Sequence, residues 1–232
     1  MGDCMGILFN TLSILFGIFL GNIFKDRINF KNFTILGIAI MIISLVGFIE
    51  NIFGVQEFEL KSNALLIVVF ALIIGTILGE VFCLDLKLGN ISNNKNKGLA
   101  EIIDTTIFFG VGGMQICGPV MLAAANDNSQ LILKSMIDFP FALMFGMSYG
   151  KRVALSAFIV AAGQIGVLIL TILTKSFLDT YVIRQICSIG YIILFFSGFN
   201  LLCEKQHKIN NINMLIGIFV ILLYNGIRCF WR

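Results

Sequence analysis

The feature that most limits this chain is a recurrence of uncharged, apolar runs, each about as long as a bilayer is thick. A hydrocarbon core takes about 20 residues of helix. On that ruler eight segments lie near 5–24, 33–53, 63–84, 105–125, 131–149, 153–173, 182–202 and 212–230. Backbone groups inside hydrocarbon have no water to bond, so only helices and closed barrels cross it, and continuous apolar runs of this length read as helices. Of 232 residues, 58% are hydrophobic and 12% charged, which leaves no material for a second domain. The expectation is an all-α, polytopic integral membrane helix bundle of seven to eight transmembrane segments, a single transmembrane domain over residues 1–232. The first run follows Asp3 rather than a basic stretch, and such runs recur to the end, so none is read as a removable leader.

The net charge of +3 does not point to nucleic acid, because the basic residues are scattered through short connections. They act as topology signals instead. Connections one, three, five and seven hold Lys25, Arg27, Lys31, Lys87, Lys95, Lys97, Lys151, Arg152, Lys205 and Lys208. The opposite side holds Lys61, Lys134, Lys175, Arg184, Arg228 and Arg232. The bias favours an amino terminus outside, with an even helix number returning the carboxyl terminus to that side. A fourth segment that turned back without crossing would make seven spans and flip the later assignments.

Cysteines at 4, 83, 117, 187, 203 and 229 form no CxxC pair, and the one histidine, His207, lies among lysines in "EKQHK". A metal site is not expected, since flanking lysines repel cations and no companion ligands are at hand. No cofactor is implied either. The chain lacks GxSxG, HExxH and a phosphate loop, and "GVGGMQ" lacks the strand, later glycine and acid of a dinucleotide fingerprint. Without a catalytic set, an enzyme is not expected.

"GIFLGNIF" at 17–24 and "GTILGEVF" at 75–82 share the frame G-x-x-L-G-x-x-F, and "GMSYGKR" at 146–152 repeats the GxxxG spacing. Small residues four apart let helix backbones approach closely. Packing or internal duplication explains the repeat better than chance does, and such faces also make a homo-oligomer plausible.

Polar residues in the spans carry what functional signal there is. "GVGGMQICGPV" at 110–120 puts four glycines and Pro119 in the fourth span, and Pro140 falls in the fifth. Proline has no amide hydrogen, so the carbonyls of Gln115 and Met136 lose their usual partners. Together with Gln115, Cys117 and Gly118, these features point to a fourth segment that is broken or re-entrant; a kink repaired by neighbouring helices is the plainer alternative. In "KSMIDFPF" at 134–141, Lys134 and Asp138 are one turn apart and can pair. Lys134 starts the span and its stem can reach the headgroups, whereas Asp138 sits near the midplane, where a charge costs roughly 3 kcal/mol. Asn10, Glu80, Gln164 and Asn200 lie in other spans, where amides more often glue helices than touch a ligand, and Glu80 is shallow enough to be interfacial.

In order and spacing, "GILFNTLSILFGIFLG", "GTILGE", "CGPVM", "KSMID" and "GFNLL" resemble the YdfK/YqgA family of bacterial multi-pass inner-membrane proteins, a domain of unknown function. The resemblance covers nearly the whole length. It marks Asn10, Gly79, Glu80, Cys117, Gly118, Pro119, Lys134, Asp138 and Asn200 as family-like; the sixth span keeps Gln164 in "AAGQIG" without the family's preceding aromatic, and Pro140 lies outside the pattern. What it implies is a bacterial cytoplasmic membrane protein with a possible transport role.

Residues and resemblance together suggest a transporter or channel for a small solute or ion. Asn10, Glu80, Gln115, Cys117, Gly118, Pro119, Lys134, Asp138, Gln164 and Asn200 would line the pathway. The alternative is a membrane sensor or assembly protein in which these groups only hold helices together.

Overall fold

A computed structural model describes residues 4–25, 34–56, 59–62, 65–82, 97–110, 113–174, 179–203 and 209–230. The expectations for His207, Cys83 and most loop lysines and arginines lie outside these residues. The helices in chain order are α1 (Met5–Phe24), α2 (Thr34–Ile52), α3 (Leu65–Val81), α4 (Lys97–Gly110), α5 (Met114–Ala125), α6 (Ser129–Tyr149), α7 (Leu155–Thr174), α8 (Thr180–Leu202), α9 (Asn211–Met214) and α10 (Ile216–Phe230). A 3-10 turn, Gly150–Ala154, joins α6 to α7. Between α2 and α3 lies a hairpin the sequence reading treated as loop, with β1 (Phe53–Gln56) antiparallel to β2 (Glu59–Ser62) and Gln56 opposite Glu59.

Five helical stretches among the described residues are long and apolar enough to cross a membrane, and six if the bent pair Gly98–Gly110 and Met114–Ala125 is one span. By that measure the seven to eight of the sequence reading are not all found, because Leu65–Val81 stops at 17 residues and Ser129–Thr174 counts as one 46-residue stretch. That run doubles back. Leu131 of α6 and Leu168 of α7 would be about 55 Å apart on a straight helix, yet they share one core cluster with Ile7, Leu122, Ala123 and Ala161.

The chain divides into two compact units, residues 1–32 with 87–173 and residues 33–86 with 174–232. In the first, α1 lies along α6. Its buried residues, Gly6, Ile7, Asn10, Ile14, Gly17, Ile18 and Gly21, recur every three or four positions and so form one stripe. A Cβ at Gly17 would collide with Ala142 and the carbonyl of Phe139, one at Gly21 with the Leu143 backbone, and one at Gly146 with the Ile18 backbone. The large residues Leu8, Phe9, Leu12, Phe16 and Phe19 point the other way and are more than half exposed. Small residues inside and large apolar ones outside suit a helix whose outer solvent is lipid.

Helix α5 ends at Asn126, left-handed at φ 55, whose N–H bonds the Leu122 carbonyl while that of Asp127 bonds Met121. This is the paired C-terminal closure usually given to glycine. The Asp127 carboxylate then accepts from the N–H and hydroxyl of Ser129, opening α6. Pro119 and Pro140 both sit within unbroken helix. Near Pro140, the Ser13 hydroxyl of α1 donates to the Ser135 carbonyl of α6 at 2.7 Å.

In the second unit α2 lies along α8 and α3 along α9 and α10. Gly37 meets the Gly198 carbonyl, Gly47 the ring of Tyr191, Gly75 the backbone of Gly217, and Gly79 that of Asn213. The repeated glycine frame thus marks a backbone-on-backbone crossing in each unit, and its two copies are used within the chain.

Gly21→Ala and Gly75→Ala should each lower stability by about 1–3 kcal/mol, since backbone cannot be repacked as a side chain can. Gly166→Ala, with open space at its Cβ position, should be neutral. Thermal unfolding of the purified protein in detergent checks all three.

Candidate functional site

Three features of the first unit meet on α6. Lys134 and Asp138, four residues apart, share its buried face with Leu131, Ser135, Phe141 and Ala142. Lys134 is 3% and Asp138 5% exposed. Their charges pair directly, Nζ to Oδ2 at 2.8 Å. The lysine stem does not run out to the headgroups, as its place early in the span had suggested. The ammonium turns inward and donates to the Phe109 carbonyl at 3.0 Å.

That carbonyl is available because α4 stops at Gly110. The last four carbonyls of a helix lack intrahelical partners, and the helix dipole places partial negative charge there. The chain resumes as α5 at Met114, and the two axes are bent by 52°. The bend falls between Gly110 and Met114 and not at Pro119, which α5 absorbs. Phe108, Phe109, Phe141, Phe145 and Tyr149 pack edge-to-face or stacked beside the break. Their rings form one apolar cluster, in which Phe141 shares the buried face of α6 with Asp138.

Three further buried amides belong to the same unit. The amide of Asn10, fully buried on α1, comes up to the Asp138 carboxylate without closing a hydrogen bond through either of its own atoms. Gln115, in the first turn of α5, donates Nε2 to the Val160 carbonyl of α7 at 2.8 Å while its Oε1 has no partner. One turn further along α7, Gln164 is fully buried with neither amide atom bonded. Buried amides ordinarily find partners, so three incomplete ones in a single unit are unusual. Cys117 and Pro119 are buried on α5, and a side chain at Gly118 would strike Leu131 of α6.

The remaining sequence candidates belong to the second unit. Glu80 is exposed near the end of α3. Asn200 accepts from the Ile209 N–H and donates to the Ile209 carbonyl, both at 2.7 Å, which ties the end of α8 to the start of α9. What the sequence reading missed is mostly backbone, the Phe109 carbonyl above all. It also passed over Gln185, buried on α8 and accepting from Asn225 of α10 at 2.9 Å, although an amide in an apolar span was signal enough.

Chemically, the first-unit set offers one fixed negative charge, one positive charge on a flexible stem, a helix-end carbonyl and amide oxygens. Among the described residues no three His, Cys, Asp or Glu side chains cluster as metal ligands.

No solved structure matches the chain. It is similar to the uncharacterized membrane protein YdfK of Bacillus subtilis (strain 168), with 27% identity over 228 residues that cover 95% of this chain and 97% of that one. The model of a family described as protein of unknown function (DUF554) matches residues 5–225. With nearly its whole length matched, this membrane protein belongs to that family.

Proposed function

We propose that the protein moves a small solute or ion across the bacterial cytoplasmic membrane, through a pathway built on the interrupted α4–α5 segment and the Lys134/Asp138 face of α6. The observation that carries this reading is the ion pair docked on the broken end of α4. A charge at membrane depth is expensive, and an interrupted helix there is tolerated where it is buried in protein or lines a polar cavity. Discontinuous helices with exposed carbonyls are a common way to offer a solute ligands at the midplane. Asn10, Gln115 and Gln164 add polar atoms not yet committed to partners. The reading takes eight crossings, with α6 and α7 separate spans and α4–α5 one broken span, and an amino terminus outside.

The second reading makes the pair a brace, favoured by the fact that its two charges already satisfy each other. Replacing both separates the two. A buried pair exchanged for neutral side chains of similar volume is often tolerated, whereas removal of one partner costs about 3–5 kcal/mol. Lys134→Met/Asp138→Asn should therefore insert and melt close to the parent while losing flux in proteoliposomes under Na+, K+ or proton gradients. Asp138→Asn alone should also insert and carry no flux. Normal transport by either variant removes Asp138 from the pathway. In a protein with its other cysteines replaced by alanine, Cys117 should react with a small water-soluble thiol reagent from one side of the membrane; resistance from both sides would favour the brace.

A further inference from the structure

The groups that hold the Lys134 ammonium are those that would hold a free cation. Its Nζ lies 3.0 Å from the Phe109 carbonyl oxygen and 2.8 Å from Asp138 Oδ2. The wholly buried Asn10 amide lies beside the same carboxylate, toward which only its N–H2 is attractive. A carbonyl at a helix C-terminus and a carboxylate are hard oxygen ligands, and the helix end adds about half a negative charge. Lys134 reaches them on a four-carbon stem with freely rotating bonds, so it is a cation that can leave without leaving the protein.

We propose that this oxygen set is a binding site for a monovalent cation of ammonium or potassium size, and that the Lys134 ammonium is its tethered competitor. The inference rests on the transport reading and names the class of solute. Charge selects the valence. Asp138 is the only acid among the buried polar side chains of the described residues, so with lysine withdrawn the site carries between one and one and a half negative charges. One monovalent ion neutralises that. A divalent ion would leave excess charge in an apolar interior and would call for more carboxylates than one. Distance selects the size, because ammonium and potassium fit oxygens at 2.8 to 3.0 Å without contraction, whereas sodium would draw them inward. Entry of the cation and withdrawal of Lys134 are then one exchange, which keeps the interior charge nearly constant as solute comes and goes.

The test removes the competitor. Full-length Lys134→Met, purified in detergent with N-methylglucamine chloride as the only salt, should melt below the parent. Ammonium, methylammonium or potassium chloride should restore it saturably by roughly 5–10 °C at concentrations far above the dissociation constant. Sodium chloride should do less, and the parent should shift far less in every salt. Lys134→Met/Asp138→Asn should lose the response. A folded Lys134→Met that ignores all four cations, or a double variant that responds equally, overturns the proposal. If Lys134→Met is not recovered, Lys134→Gln serves, and recovery of neither in any of the four salts also overturns it, since the pair is then a fixed brace. Failure here with gradient-driven flux in the parent removes the cation site and leaves transport standing. Rescue without flux keeps the site and removes transport.

Discussion

Inside a bilayer, lipid tails are as apolar as leucine, so helices gain nothing by burying large apolar side chains against one another. What holds them is close approach, and in this protein close approach means glycine. Gly17, Gly21 and Gly146 bring α1 and α6 together backbone to backbone; Gly37 with Gly198, and Gly75 with Gly217, do the same in the second unit. Many large apolar side chains, Leu8, Phe9, Leu12, Phe16 and Phe19 of α1 among them, are consequently left facing out, and the interior is free to hold groups that a soluble protein would keep at its surface.

The polar interior follows from the same geometry. The stripe of α1 that carries its glycines also carries Asn10 and brings it to Asp138, while Ser13, beside that stripe, supports the Ser135 carbonyl near Pro140. The break between α4 and α5 frees carbonyls, and one is answered by Lys134. Breaking a helix and burying two charges are each costly alone. Here each offsets the other: the lysine completes the helix end, the aspartate neutralises the lysine, and the helix end disperses part of the positive charge.

The helical fold was legible because length and apolarity of a run are enough to announce a helix in lipid. Predicted limits of 5–24 for α1 and 33–53 for α2 agree with Met5–Phe24 and Thr34–Ile52. Less legible was where a helix stops. Pro119 seemed the natural breakpoint, but it lies in the second turn of α5, where few amide hydrogen bonds are lost to its ring; the bend falls instead between Gly110 and Met114, in a stretch whose glycines stiffen a helix least. The i,i+4 spacing of Lys134 and Asp138 announced their pairing but not the direction of the lysine stem, which depends on a carbonyl 25 residues away. Nor does spacing reveal that Asn10 shares the unit with α6 while Glu80 and Asn200 belong to the other. That sorting is a matter of which helices pack together.

Depth sharpens the meaning of the pair. Asp138 is the tenth of the 21 residues of α6, about 13 Å from its start and so near the middle of the helix. Lys134 is only one turn shallower and bonds inward. Neither charge can be credited with anchoring the helix to a membrane surface. Fold stability gives no reason for them either, because apolar residues of similar volume commonly pack as well or better than a buried ion pair. An amide left incomplete beside them makes the arrangement less stable still. The pair on α6, the carbonyl at the end of α4 and the amide on α1 thus form an arrangement that neither surface anchoring nor packing alone calls for.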